Sequence, residues 1–163
     1  MSGGDGAQGV KCLLLALLLT GISAKANSGD PACAKAYITL RKGPGPQFPV
    51  SWKVARFMPF MKLESKNGWV KVQDLEGEFH WALARDLSTA LKCVVVKSSI
   101  AILRREPSST APAADLKSID RYTPLKKLEA QGEWLHVEDE SGRQSWIHES
   151  NVWKPVKISE VNF

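Results

Sequence analysis

Apolar residues along the chain come in short runs, each cut off by a turn-forming cluster. Tyr37-Ile38-Thr39-Leu40 has strand composition, and Lys42-Gly43-Pro44-Gly45-Pro46 stops it and opens a long loop. Val54 to Met58 and Phe60 to Glu64 read as two further strands separated by Pro59. After the turn Lys66-Asn67-Gly68, the run Trp69-Val70-Lys71-Val72 alternates, which puts Val70 and Val72 on one face and Trp69 and Lys71 on the other. Leu75-Glu76-Gly77-Glu78 turns the chain into His80-Trp81-Ala82-Leu83, and Val94-Val95-Val96 is expected to close the unit. Short strands at turn-punctuated spacing predict an all-β fold, a small antiparallel barrel or sandwich.

The pattern then recurs. Pro59, Glu64, Trp69, Asp74, Gly77 and Trp81 reappear as Pro124, Glu129, Trp134, Asp139, Gly142 and Trp146, each at an offset of 65. Leu40, Arg41 and Pro44 reappear as Leu103, Arg104 and Pro107 at an offset of 63. The second copy therefore has a front loop two residues longer. Its strands are expected at Leu125–Leu128, Trp134–Val137 and 152–158, with a possible helical turn at Ala113–Lys117. Two copies of one unit decide the architecture, and no unrepeated segment is long enough to be a catalytic domain. Each copy has about 60 residues, a size that buries only about 60% of its chain surface and is marginal alone, so the pair is expected to pack side by side.

The front end differs. Lys11 precedes an apolar run from Cys12 to Leu19, and Ala24-Lys25-Ala26 follows, the three parts of a secretory signal peptide. The run is shorter than the ~20 residues a bilayer span needs. The expected organisation is a signal peptide at 1–26, a mobile arm at 27–35, repeat one at 36–97, repeat two at 98–158 and a C-terminal tail at 159–163. Once the signal peptide is cleaved, no integral membrane segment is expected, and the protein is placed in the periplasm or outside the cell.

Export bears on the cysteines. Cys12 leaves with the signal peptide, and Cys33 and Cys93 remain as a pair bracketing repeat one. An even pair in an oxidising compartment suggests a disulfide; two free buried thiols are the alternative. The net charge of +5 falls to +4 on cleavage, with 20 basic against 16 acidic side chains. No lysine or arginine run marks a nucleic-acid binder, and no nucleic-acid partner is expected.

The stretch Leu40-Arg41-Lys42-Gly43-Pro44-Gly45-Pro46-Gln47-Phe48-Pro49-Val50-Ser51-Trp52 resembles the opening of a bacterial SH3 domain, of the exported SH3-like subfamily that occurs as a tandem pair. Trp69-Val70-Lys71-Val72, Gly77 and Trp81 match the same subfamily. So do Leu103-Arg104, Gly132-Glu133-Trp134, Trp146-Ile147-His148 and Val152-Trp153 in the second copy. The resemblance covers about residues 36–158 and implies two tandem small SH3-like antiparallel barrels. Family members usually carry glycine before the late tryptophan, where this chain has His80 and Ser145. The resemblance further implies a non-catalytic module of the bacterial cell envelope that recognises peptidoglycan or short peptides. The alternative is a periplasmic protein-interaction or scaffold module with no cell-wall ligand.

Candidate chemistry fits a binding role. Cys33, Cys93, His80, His136 and His148 form no recognisable nucleophile arrangement, so no catalytic residue is assigned. His136 and His148 lack metal-ligand spacing and are expected to face solvent; neither a metal nor a cofactor is expected. Arg41, Phe48, Trp52, Trp69 and Trp81 are the expected ligand groove, an aromatic surface with a cation for a peptide carboxylate. The alternative is that these rings close the barrel ends. Repeat one carries more aromatics than repeat two, so the site is expected there.

Overall fold

The computed structural model describes residues 29–157, together with Met1 and Gly3. The expected signal peptide and the tail at 159–163 therefore lie outside the described residues, Met1 and Gly3 aside. No described helix is long and apolar enough to cross a membrane.

Alternation becomes strand throughout. The first sheet is built from β1 (Asp30–Ala34), β2 (Ile38–Arg41), β3 (Val50–Val54), β4 (Pro59–Lys66), β5 (Trp69–Gln73), β6 (Phe79–Leu83) and β7 (Leu87–Ser88). The second is built from β8 (Cys93–Val96), β9 (Ile100–Arg104), β10 (Ala113–Asp120), β11 (Pro124–Gln131), β12 (Trp134–Glu138), β13 (Gln144–His148) and β14 (Val152–Trp153). The spatial orders are β3-β2-β6-β5-β4-β1-β7 and β10-β9-β13-β12-β11-β8-β14, so each second-barrel strand sits where the strand seven earlier sits in the first. All pairings are antiparallel. The duplication reaches irregularities. A register shift falls between Lys62 and Glu64 in β4 and between Lys127 and Glu129 in β11.

Three expectations are corrected. Asp30–Ala34 is not an arm but strand β1, paired with β4 and β7, because Ala32, Cys33 and Ala34 are apolar enough to be fully buried. Val94–Val96 does not close the first unit; it opens the second, paired with β11 and β14. Ala113–Lys117 is strand, with an irregular register against β9. Two boundaries also move. The strand expected at Val54–Met58 lies upstream at Val50–Val54, because the chain must turn at Phe57, where φ is 72°. Pro59 then takes the first position of a strand, where its missing N–H is tolerated. The closing strand is short, Val152–Trp153.

Each barrel has its own core. Leu40, Phe60, Val70, Val72 and Ala82 fill the first; Leu103, Leu125, Leu135, Val137 and Ile147 fill the second. Strand β8 serves both. Val94 and Val96 join the second core, while Val95, pointing the other way, joins the first. All four β8 residues are buried, as expected of a strand covered on both faces.

Candidate functional site between the barrels

The turn from β5 to β6 is organised by one carboxylate. Asp74 Oδ1 accepts the backbone N–H groups of Glu76 and Glu78, both at 2.9 Å, and Gly77 supplies the φ of 85° that the turn needs. Asp74 is buried, and its Oδ2 lies 3.3 Å from His80 Nε2. The carboxylate places the ring proton on Nε2, so in the neutral ring Nδ1 accepts from the Ser51 hydroxyl at 2.9 Å. The row Ser51–His80–Asp74 thus ties β3 to the β5–β6 turn. A serine nucleophile also needs donors converging on a reacting oxygen. In this turn the N–H groups of Glu76 and Glu78 are both taken up by Asp74.

Barrel two repeats the turn with different chemistry. Asp139 Oδ1 accepts from Ser141 and Arg143 N–H, both at 2.9 Å, but Oδ2 takes the Arg143 guanidinium at 2.7 Å. Burial works against the Asp139 carboxylate, yet the Arg143 backbone N–H and guanidinium hold it below the usual carboxylate range. Only barrel one brings a histidine and a serine to this turn.

Above His80 the walls are aromatic. The Trp52 ring lies 5.9 Å from His80, and the Tyr122 ring of barrel two stands edge-on to Trp52 at 6.1 Å. Glu76 Oε1 accepts from the Arg121 guanidinium at 2.5 Å and from the Tyr122 hydroxyl at 3.0 Å. Those two donors, arginine first, hold the Glu76 carboxyl below its ordinary value. The result is a cleft of about 310 Å³ between Ser51, Trp52, Asp74, Glu76, Glu78, His80 and Tyr122, within the size range of small-ligand sites.

Of the expected groove, only Trp52 lines this cleft. Leu40 pairs with Trp52 and Arg41 with Trp81, so Arg41 and Trp81 project from the opposite sheet face to Trp52. Arg41 Nη1 donates to the Phe48 carbonyl at 2.8 Å, and Arg104 does the same to Ala111 at 2.9 Å; both clamp the front loop. The Phe48 ring folds over Gly43, which has no room for a Cβ. Trp69 is buried opposite Leu83, and Trp81 is half-buried opposite Lys71. On the matching face of barrel two, His136 stacks on Trp146 at 4.8 Å and His148 meets the Trp134 ring at 5.2 Å. Both histidines, expected to face solvent, are half-buried against rings.

The cleft residues missed from sequence are Ser51, Asp74, Glu76, Glu78, His80 and Tyr122. One signal was present: His80 stands where the resemblance noted in the sequence leads one to expect glycine. Tyr122 carried none, because it comes from the other repeat.

The family described as bacterial SH3 domain matches residues 34–89 and 97–154. The chain belongs to the bacterial SH3 domain family, twice over. The matched segments of this tandem SH3 protein correspond to the two barrels. Among curated proteins nothing matches. Similar solved structures include an NlpC/P60 family protein from Bacillus cereus ATCC 10987, at 16% identity, covering 76% of this chain and 56% of that one, with a TM-score of 0.36. NlpC1 from Trichomonas vaginalis is 12% identical, covering 82% of this chain and 48% of that one, TM-score 0.35. NlpC2 from the same organism is 12% identical, covering 83% and 52%, TM-score 0.36. The tandem SH3 chain spans about half the length of these structures.

Proposed function

We propose that this protein is a non-catalytic, exported binding module of the bacterial cell envelope that recognises peptidoglycan or its short peptides in the cleft between its barrels. The observation that carries the reading is the Trp52–Tyr122 pair closing over Asp74 and His80, with rings 6.1 Å apart and one ring from each barrel. Aromatic walls supply apolar contact, and His80, Ser51 and the carboxylates Glu76 and Glu78 supply the polar groups that orient a peptide. The tandem SH3 architecture and the Cys33–Cys93 bridge support placement outside the cytoplasm. The front-end pattern at 1–26 supports export by a cleavable signal peptide, and an Asn27 amino terminus on protein from an envelope fraction tests that.

Binding is tested by co-sedimentation with purified peptidoglycan. Wild-type protein should pellet with the polymer, and Trp52→Ala and Tyr122→Ala should each weaken pelleting by about tenfold while folding is retained. Trp134→Ala should bind normally. Loss in Trp134→Ala equal to that in Trp52→Ala would move the site to the outer sheet faces. Failure of wild type to pellet would remove the cell-wall ligand and leave the protein-interaction reading. That second reading is favoured by Ile100 and Ile102, two exposed aliphatic side chains on β9.

A further inference from the structure

Three positions carry smaller side chains in barrel two than in barrel one. His80 stands opposite Val72, and Ser145 holds the equivalent place opposite Val137. Phe60, which follows Pro59, becomes Leu125 after Pro124. Ser51 becomes Ala114, each one residue past the partner of the arginine that clamps the front loop. A cavity of about 190 Å³ opens beside Ala114 and Ser145, walled by Leu103, Leu116, Ile119 and Leu125. Register turns Ser145 and Ile119 inward, since their partners Val137 and Ala101 belong to the second core. The two extra residues of repeat two also fall here. Val50 and Lys53 pair with Arg41 and Thr39, but Ala113 and Ser118 pair with Arg104 and Ile102, and Leu116 lies in the lengthened stretch.

The polar groups at the cavity are committed, with one exception. Asp139 Oδ2 accepts from Arg143 at 2.7 Å, Asp115 accepts from Arg105 at 2.7 Å, and Gln144 donates to Glu138 at 3.2 Å. Ser145 is 9% exposed, and no side-chain hydrogen bond holds its hydroxyl among the described residues. Every described polar side-chain atom fully shut off from solvent has a partner, so the Ser145 oxygen is reached from the cavity.

An aliphatic cavity of about 150 Å³ admits a benzene ring. An unsubstituted ring would leave the Ser145 hydroxyl unpaired, which is unfavourable in a buried site. An imidazole brings two polar atoms for one partner. The groups that hold His80 in barrel one are not on offer, since Asp139 is taken and alanine replaces Ser51. A phenol brings one hydroxyl, able to donate or accept. An adjoining hollow of about 220 Å³ shares Leu116, Ile119, Asp139 and Arg143 with the cavity and runs on along Thr123, Pro124, Glu140 and Ser141. It gives room for the chain that carries the ring.

We propose that barrel two binds a tyrosine side chain of a peptide, with the ring in the cavity, its hydroxyl bonded to Ser145 and the peptide backbone in the adjoining hollow. The site shares no residue with the Trp52 cleft, so it stands or falls apart from peptidoglycan recognition.

The test is methyl NMR of the disulfide-bonded chain titrated with the blocked peptide acetyl-Ala-Tyr-Ala-amide. Saturable ring-current shifts are expected at the Leu103, Leu116, Ile119 and Leu125 methyls, with the barrel-one core unmoved. Acetyl-Ala-Phe-Ala-amide, which lacks only the hydroxyl, should bind about tenfold more weakly. Ser145→Ala keeps the cavity and should bring the two peptides to equal affinity. Ser145→His puts the barrel-one side chain into the space and should abolish binding while circular dichroism matches wild type. The levelling in Ser145→Ala decides the matter if the histidine variant misfolds. Four results overturn the proposal: no shifts with the tyrosine peptide, equal affinity for both peptides in wild type, a tyrosine preference that survives Ser145→Ala, or shifts confined to the Trp52 cleft.

Discussion

Phe57 and Tyr122 occupy the same left-handed turn, one in each barrel, and each reaches across to the other. Their φ values are 72° and 68°, in a region that non-glycine residues rarely adopt. They sit 65 residues apart, two before Pro59 and Pro124. Phe57 N–H donates to Ala34, and Tyr122 N–H to Val96, each bond 2.9 Å long. Phe57 is buried against the Cys33–Cys93 bridge, whose second cysteine belongs to barrel two. Tyr122 is exposed over Trp52 of barrel one. One repeated turn has become a structural strap on one side and a wall of the candidate site on the other.

Truncation of the two rings should therefore separate stability from binding. Phe57→Ala should destabilise the protein by about 3–5 kcal/mol, the cost of emptying a buried aromatic site. Tyr122→Ala should cost only about 1 kcal/mol, the scale of an exposed ring pair. Tyr122→Gly should cost less still, since glycine adopts this φ without penalty. Urea denaturation of the three variants measures the order; equal costs for Phe57→Ala and Tyr122→Ala would contradict it.

The disulfide joins the first strand of each barrel, with the Cα atoms 6.1 Å apart. The cysteines bracket repeat one in sequence, but Cys93 is hydrogen-bonded into the second sheet, so the bridge is a link between barrels. Removing it should lower stability by about 4 kcal/mol in the chain-entropy model. Hydrogen exchange on the reduced protein should show the loss in both barrels, concentrated in β1 and β8. A loss confined to barrel one would argue against the link.

Acidification should release the latch at the first cleft. Glu76 titrates below its ordinary value because Arg121 and then Tyr122 donate to it. A depressed carboxylate contributes stability that is present above its unfolded pKa and lost as pH falls through the folded one. The stability difference between wild type and Glu76→Gln should thus be constant near neutrality, begin to shrink below the ordinary carboxylate pKa, and be lost only once pH has fallen through the depressed folded value. Both groups are exposed, so the difference should also fall with added salt. Thermal unfolding across pH and ionic strength gives the comparison.

The paired turn aspartates should differ in what they hold. Asp74→Ala strands the buried His80 as well as two backbone N–H groups, for about 1–3 kcal/mol. Asp139→Ala frees groups that water can reach and should cost less, because its turn is exposed. The Asp74 variant should also shift the His80 ring resonances in NMR spectra, whereas Asp139→Ala should leave them in place.

The all-β fold, the duplication and most strand positions were legible because they are local. A period of two, Gly and Pro punctuation and an offset of 65 between equivalent residues are properties of the chain alone. Trp69-Val70-Lys71-Val72 became β5 with Val70 and Val72 inward, as alternation requires. The run Val94-Val95-Val96 was misplaced for a physical reason: an unbroken apolar strand is buried on both faces, and composition does not say by what. Here one face belongs to each barrel. The site was the least legible part. Sequence grouped Arg41, Phe48, Trp52, Trp69 and Trp81 by residue type, but sheet register sends Trp52 to one face and Arg41 and Trp81 to the other. Tertiary packing alone decided that Trp52 would meet Tyr122, which lies 70 residues later in the other repeat, because the strands that turn each barrel's edge toward its neighbour are held by contacts no local pattern encodes.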